Sequence, residues 1–374
     1  MNFIKPALSA ITQQLTIVLP SYNERKNIDF LLQGLLHADE QGVIKRVIYV
    51  DDDSPDDSAE YIKTISNYPF EVNCLHRVGR QGLSSAVVEG VMLADTPYVA
   101  VMDADGQHDP RDLTGMFNLA TQENADFIVG SRFKNSATLE NHSGIRHLIS
   151  QNGNKLCNFI LRRNLTDPLT GFFLFKRSIF LDVVKQMRPT GFKILLEFLY
   201  RIRKNNIQVL EYPIQFRTRH DGDSKLDSRV IIEFIDQVLG FLTKGLFPEK
   251  LFGFILVGAT GLALHLFLLY EFLFYMSLSF TTSQALATLI SMVSNFTLNN
   301  ILTFRRNRLK GWHWVKGLIY FILVCSFGAL SNVGAAGYLN NIGEVWWLAG
   351  FIGVIVGTIF NFTLSRFFIW KPYL

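Results

Sequence analysis

The chain has 374 residues, 49% of them hydrophobic, which leaves room for more than one domain. Its net charge is only +4, and no basic stripe interleaved with aromatics is present, so the pattern of a nucleic-acid-binding protein is excluded. Cys74, Cys157 and Cys325 show neither disulfide nor metal spacing and fit a reduced compartment.

Taken in order, Leu15 to Leu19 is a β-branched apolar run that ends at Pro20, and Ser21-Tyr22-Asn23-Glu24 leads into an amphipathic stretch from Lys26 to Leu36. That pattern predicts strand, loop and helix. Val43 to Val50 is the next strand, ending in Asp51-Asp52-Asp53-Ser54-Pro55-Asp56-Asp57-Ser58 before a helix over Ala59 to Ile65. Phe70 to His76 predicts a third strand, and Arg77-Val78-Gly79-Arg80-Gln81-Gly82-Leu83 opens a helix over Ser84 to Ala94. The Val-rich strand at Tyr98 then stops at Asp103-Ala104-Asp105-Gly106. Strands alternating with helices of this length predict right-handed βαβ units and a mainly parallel, Rossmann-like sheet.

In an open sheet of this kind, ligands sit outside the carboxyl ends of the strands. Asp103 and Asp105 are two residues apart, so they point to one side of an extended chain, and Gln107 continues the register with a neutral oxygen. Hard oxygen ligands of this sort suit Mg²⁺ or Mn²⁺. Asp51, Asp52, Asp103 and Asp105 repel one another unless a cation, a base edge or ribose hydroxyls lie among them. Arg77 and Arg80, or backbone donors at the helix start, are placed to hold a nucleotide's anion. A sugar nucleotide with a divalent metal meets all of these demands.

From Leu251 onward the composition changes to four long apolar stretches, Leu251 to Met276, Phe280 to Phe304, Val315 to Leu339 and Val345 to Trp370. Each holds a run of about 20 residues or more, the length that crosses a bilayer. Arg305, Arg306, Arg308 and Lys310 lie between the second and third stretches and Lys371 follows the fourth, whereas the other connectors carry no Lys or Arg. The expectation is a multi-pass membrane protein with both termini and the hydrophilic half in the cytoplasm. Met1 to Gln14 lacks the apolar core of a signal peptide. Arg229 to Phe247 carries apolar residues at helical spacing and predicts an amphipathic helix in the membrane interface. NFTLNNILTF at 295 to 304 and NFTLSRFFIW at 361 to 370 mark an internal repeat of two helical hairpins. Asn295, Asn299, Asn300 and Asn361 are costly against lipid, which predicts pairing between helices. The expected organisation is a catalytic domain over 1–228, an interface helix over 229–248 and a four-helix transmembrane domain over 249–374.

LPSYNE at 19 to 24, VDDDSPDDS at 50 to 58, MDADGQHDP at 102 to 110, GSRF at 130 to 133 and DPLTGFF at 167 to 173 resemble glycosyltransferase family 2, of the GT-A fold. The likeness is to polyprenyl-phosphate glycosyltransferases of the dolichyl-phosphate mannose synthase type, and the apolar half, with LVGATG at 256 to 261, is similar to GtrA-like membrane domains. The resemblance implies that Pro20, Tyr22, Glu24 and Asp52 surround the nucleoside and that Asp103, Asp105 and Gln107 hold the metal and diphosphate. It implies that Arg132, Arg146 and Ser150 grip the acceptor phosphate, and that Arg219 and Lys225 belong to a closing loop that neutralises the donor. Departures are Asp53 and Asp57 in place of Asn and Gly, Ser84 in place of Gly, and Thr170 in place of Ser.

The expected reaction is transfer of a hexose, mannose from GDP-mannose, to a polyprenyl phosphate, with Asp105 and Arg132 as the principal catalytic groups. A UDP-sugar donor with undecaprenyl phosphate is the nearest alternative. A lipid-linked sugar flippase with an attached loading domain is the alternative of another class, weighed against by spans that carry few charged residues, Glu271 and Arg366 among them. A polymer-threading synthase is disfavoured because Gln-x-x-Arg-Trp is missing.

Overall fold

A computed structural model of the chain describes residues 13–79, 82–134, 145–188, 193–217, 228–341 and 346–371. The chain divides into two compact units, Met1–Val230 and Ile231–Leu374.

The first unit is built on a seven-stranded sheet of β1 (Leu15–Ser21), β2 (Ile44–Asp51), β3 (Glu71–His76), β4 (Tyr98–Val101), β5 (Phe127–Ser131), β6 (Phe173–Lys176) and β7 (Val209–Pro213). Their order across the sheet is β3-β2-β1-β4-β6-β5-β7. β6 runs antiparallel to β4 and β5, and the other pairings are parallel. The expected mainly parallel sheet is therefore present with one reversed strand.

All seven residues of β1 are buried, as a strand covered on both faces requires. Pro20 is tolerated there because β1 pairs with β4 only as far as Val18, so no ladder bond is owed on the side its nitrogen faces. The helices are α1 (Ile28–Ala38), α2 (Ser58–Lys63), α3 (Leu83–Leu93), α4 (Pro110–Gln122), α5 (Ile145–Leu161), α6 (Arg177–Val183) and α7 (Ile194–Ile202). α1 buries Ile28, Leu31, Leu32 and Leu35, the three-and-four spacing of one helix face. Beneath α6 and α7 a set of phenylalanines closes the core, with Phe175 and Phe198 edge to face at 4.9 Å. Glu197 is buried and accepts from Arg188 N–H at 2.9 Å and from Arg201 Nε at 2.8 Å, which makes it a tie at the core edge.

The second unit is helical: α8 (Ser228–Leu242), α9 (Leu251–Tyr270), α10 (Phe280–Leu298), α11 (Trp312–Asn341) and α12 (Trp346–Leu364). Asp236 of α8 accepts Phe252 N–H at 2.9 Å and so caps α9. Among the described residues, Leu251–Tyr275 and Phe280–Thr303 are long and apolar enough to cross a membrane, with mean hydropathies of 2.1 and 1.3. The remaining two apolar stretches are helical, as α11 and α12. Leu262, Leu266 and Phe267 on α9 and Ile319, Leu323 and Phe327 on α11 stand more than half exposed, large apolar side chains at a density unusual for a surface in water.

The repeat seen in the sequence is also a repeat of structure. Each NFTL tetrad ends an α-helix and passes into a π-helical turn, Asn299–Thr303 in one copy and Ser365–Ile369 in the other. Asn295 lies against Gly261 and Asn361 against Gly328, each at a place where a Cβ would strike the amide. Pairing between helices is thus made by Asn300, which accepts from Trp370 Nε1 at 3.0 Å; Asn299 instead donates to Asn295 O of its own helix.

Candidate active site

The carboxyl ends of β1, β2, β4 and β5 gather the polar residues of the first unit. Met102 N–H donates to Val18 O at 3.2 Å, the last bond of the β4 ladder, and the chain then turns through Asp103 to Asp109. Gly106 holds a φ of +74°, the conformation that releases the chain from the strand. Asp105 accepts Gln107 N–H at 3.2 Å, and Asp109 caps α4 by accepting Arg111 N–H at 3.1 Å with Pro110 in the first helical position. The far end of this turn is strapped to the segment after β7: Arg217 N–H donates to Gln107 O at 2.8 Å, Gln107 Nε2 donates to Arg217 O at 3.3 Å, and Arg217 also pairs with Asp109.

Asp103 is seated by two contacts that sequence reasoning did not single out. His108 is buried with its Nε2 3.5 Å from Asp103 Oδ2, its ring packed 5.1 Å from Phe172 and 5.4 Å from Phe216. Gly171 backs directly onto the carboxylate, where any Cβ would displace it. Burial alone would raise the Asp103 pKa, but the hydrogen bond and charge of His108, with Lys193 and Arg132 behind it, hold the carboxyl below its ordinary value. It remains an anion. The signals were in the sequence, as the His of DGQHDP and the Gly of DPLTGFF, but their meaning depends on strands distant in the chain.

At the end of β2, Asp52 is buried and already doubly engaged. Its carboxylate accepts from Arg77 Nη1 at 2.8 Å and from Gly82 N–H at 2.8 Å. Arg77 turns inward, contrary to the expectation that it faces an anion: it also donates to Glu89, Ser85 Oγ and Gly82 O. Together these fix the start of α3. Asp51 is fully buried, accepts Ser54 N–H at 3.1 Å and leaves Oδ1 without a hydrogen-bond partner among the described residues. Asp53 takes a left-handed φ of +64°, a conformation that Asp tolerates as Asn does.

Beside it, Pro20 lies inside β1, and Tyr22 and Glu24 follow in a half-exposed turn. Asn23 N–H donates to Ser54 Oγ at 2.9 Å and Arg25 N–H to Asp56 at 3.0 Å, tying the β1 and β2 ends together. Glu24 accepts from Asn27 Nδ2 at 2.7 Å. Arg80 lies outside the described residues.

At the end of β5, Arg132 forms a two-point pair with Asp167, Nε to Oδ2 at 2.6 Å and Nη2 to Oδ1 at 2.9 Å. Asp167 is fully buried, and its loop is fixed by Glu211, which accepts from Thr166 N–H at 2.7 Å and Asp167 N–H at 3.3 Å. The Arg132 guanidinium lies 5.2 Å from the Phe216 ring. Lys193 donates to Leu169 O at 3.2 Å; burial and the neighbouring Arg132 hold its pKa below the usual lysine value, against the pull of Asp103 and Asp167. Asp103, Arg132, Asp167 and Lys193 therefore form one electrostatic cluster. Arg146 and Ser150 are on α5, with side chains outside those described, and Arg219 and Lys225 lie outside the described residues.

No group of three or more His, Cys, Asp and Glu side chains is arranged to hold a metal among the described residues. The donors still fit a hard divalent cation that takes one or two carboxylates and fills its shell with water and phosphate oxygens, because Asp103 stays ionised and Asp105 follows on the same turn.

Residues 16–184 match the model of glycosyl transferase family 2, and residues 253–370 match the GtrA/DPMS transmembrane domain. A Pyrococcus furiosus protein named dolichol-phosphate mannosyltransferase is 30% identical over 362 residues, covering 96% of this chain and 99% of that one. A Saccharomyces cerevisiae protein of the same name is 31% identical over 235 residues, 60% of this chain and 85% of that one. Among solved structures, glucosyl-3-phosphoglycerate synthase from Mycobacterium tuberculosis, crystallised with Mn²⁺, UDP and phosphoglyceric acid, aligns with a TM-score of 0.48 at 13% identity over 63% of this chain and 80% of that one.

Proposed function

The chain belongs to glycosyl transferase family 2, among the dolichol-phosphate mannosyltransferases that carry a GtrA/DPMS transmembrane domain, and from that premise we propose that it transfers mannose from GDP-mannose to a polyprenyl phosphate with inversion at the sugar. The enzyme is a glycosyltransferase acting on a polyprenyl phosphate; donor and stereochemistry are our reading. The observation that supports it most is the joining of Asp103, at the donor side, to the Arg132–Asp167 pair within one electrostatic cluster.

A phosphate acceptor is already anionic at neutral pH, so no proton has to be removed and no general base is needed. One phosphate oxygen attacks the anomeric carbon from the face opposite the diphosphate. The bond from that carbon to the diphosphate breaks, and its electron pair leaves on the nucleoside diphosphate. The difficulty is electrostatic, because two anions must approach where water is excluded. Arg132, with Arg146, offsets the lipid phosphate; Asp167 fixes the guanidinium plane so that little ordering remains to be done when the acceptor arrives. Asp103 and Asp105, with Gln107, would hold Mg²⁺ or Mn²⁺, which when bound offsets charge developing on the leaving diphosphate. Pro20, Tyr22, Glu24, Asp52 and Arg80 bound the nucleoside side, where Asp52 acts by holding Arg77 and Gly82 N–H, and Arg219 and Lys225 supply positive charge for the diphosphate.

On the same reading, residues 1–228 are the cytoplasmic catalytic domain, 229–248 an interfacial amphipathic helix and 249–374 four transmembrane helices, with both termini cytoplasmic. The deciding experiment incubates the purified chain with a panel of labelled nucleotide sugars, a polyprenyl phosphate and Mg²⁺ or Mn²⁺, then extracts the lipid. Label from GDP-mannose enters the lipid fraction. Label from UDP-glucose alone reassigns the donor, and no labelled lipid from any donor overturns the reading.

A further inference from the structure

The second unit contains a cavity of about 320 Å³ where the end of α10 meets the start of α11. Its shape follows from one side chain. Asn300, buried in the π turn after α10, accepts Leu309 N–H at 2.8 Å and donates to Leu309 O at 3.0 Å, which folds the connecting loop back on the helix. Its Oδ1 also accepts from Trp370 Nε1 at 3.0 Å, so this one buried amide ties the loop, the π turn and the second copy of the repeat together. The loop then reverses at Gly311, whose φ of +51° is left-handed.

This clamp places two kinds of surface together. Ile301, Leu309 and Trp314 form an apolar wall, and Arg308 and Lys310 line the same cavity. Neither cation makes an ion pair among the described residues, and the sequence from Phe280 to Gly343 contains no Asp or Glu that could supply one. Ile301 of the lining is exposed, as are Leu302 and Trp312, which neighbour lining residues in the chain, with Trp312 66% accessible. An apolar wall leading to two uncompensated cations is complementary to an amphiphile whose charged end is a phosphate.

We propose that this cavity binds the phosphate-bearing head group of an anionic membrane lipid, the phosphate lying against Arg308 and Lys310 and the first carbons of the lipid against Ile301 and Trp314. It is a site built entirely from residues of the helical unit, and it requires only that α10 and α11 stand in a bilayer. A cation belt that merely orients the protein would attract anionic surfaces without needing the cavity. The two differ in whether shape matters.

The test uses the full chain in nonionic detergent, with lipid retention read by native mass spectrometry. Phosphatidylglycerol should be retained over phosphatidylcholine by roughly 30-fold, since two nearby cations supply about that preference. Arg308→Gln with Lys310→Gln should abolish the preference, and the exchange Arg308→Lys with Lys310→Arg should keep it. Thr297→Leu, which fills the cavity and leaves every charge in place, should also abolish it. Equal retention of the two lipids by the unmodified chain overturns the site without recourse to any variant. Undiminished preference in Thr297→Leu overturns it in favour of diffuse attraction, and displacement of phosphatidylglycerol by inorganic phosphate at equal concentration overturns the lipid assignment in favour of a free-anion site.

Discussion

Phe304 and Trp370 stack face to face, ring centroids 4.4 Å apart and planes within 4°. They occupy the same position in the two copies of the sequence repeat, and the contacts around them exchange in the same way: Phe296 stacks on Trp370 at 5.4 Å, and its counterpart Phe362 lies 6.4 Å from Phe304. The two copies of the repeat thus meet through equivalent positions, ring against ring. Trp370→Ala should cost on the order of 3–5 kcal/mol, as a large buried ring lost from a packed core does. A double-mutant cycle with Phe304→Ala should return a coupling of about 0.5–1.5 kcal/mol. Thermal unfolding in detergent measures both, and simple additivity would mean that the stack contributes nothing beyond burial.

Gly171 is a glycine because Asp103 occupies the space of its side chain. Gly171→Ala should move the carboxylate and lower glycolipid formation by about a hundredfold, the usual consequence of a misplacement near 1 Å. The protein should stay folded by circular dichroism. Asp105→Ala should abolish glycolipid formation with the fold equally intact; full activity in that variant would remove the carboxylate turn from the donor site.

The sequence was most informative where one physical property changes abruptly. A Val-rich run stopping at Asp103 and Asp105 announces a buried strand delivering charge to a sheet edge, and the structure has β4 ending two residues earlier at Val101. The apolar stretches after Leu251 were legible as helices, and two of them, Leu251–Tyr275 and Phe280–Thr303, are long and apolar enough to cross a membrane. The reversed direction of β6 was not, since FLFK reads the same whichever way the strand runs. Arg77 was misjudged for a related reason. Its charge suggested an anion nearby, and the nearest proved to be Asp52, 25 residues away in the chain and adjacent only in the sheet. His108 and Lys193 matter through distances to Asp103 and Arg132 that no local pattern encodes. In the repeat, the NFTL identity was visible, whereas the paired π turns and the ring stack appear only once the two hairpins are set together.

Arg132 tests the acceptor side. Arg132→Lys keeps the charge and loses the planar fork, leaving buried Asp167 with a single-point partner. Use of the lipid phosphate should fall by about 10- to 100-fold in kcat/KM, the scale of a broken two-point charge contact. Nucleotide binding by calorimetry should be nearly unchanged. Equal loss of both would move Arg132 to the donor side.

Asp236 gives the helical unit a pH dependence whose sign can be fixed. Burial raises its pKa to about 6, against the ordinary 3.8, with Phe252 and Gly253 N–H partly opposing and Glu249 and Glu233 adding slightly. Between those two values the unfolded chain has already released the proton that the folded chain retains. The stabilisation is therefore complete below about pH 4 and is lost as the pH rises through about 6, after which the curve is flat with respect to this group. The size should be on the order of 1–3 kcal/mol, since each pKa unit corresponds to about 1.4 kcal/mol. Asp236→Asn keeps an acceptor for the α9 cap and removes the charge, so its unfolding midpoint should lie above that of the unmodified chain at pH 7.5 and close to it at pH 4. A variant that is instead weaker at pH 7.5 would show that the ionised carboxylate is the better cap, with the positive end of α9 outweighing the burial of the charge.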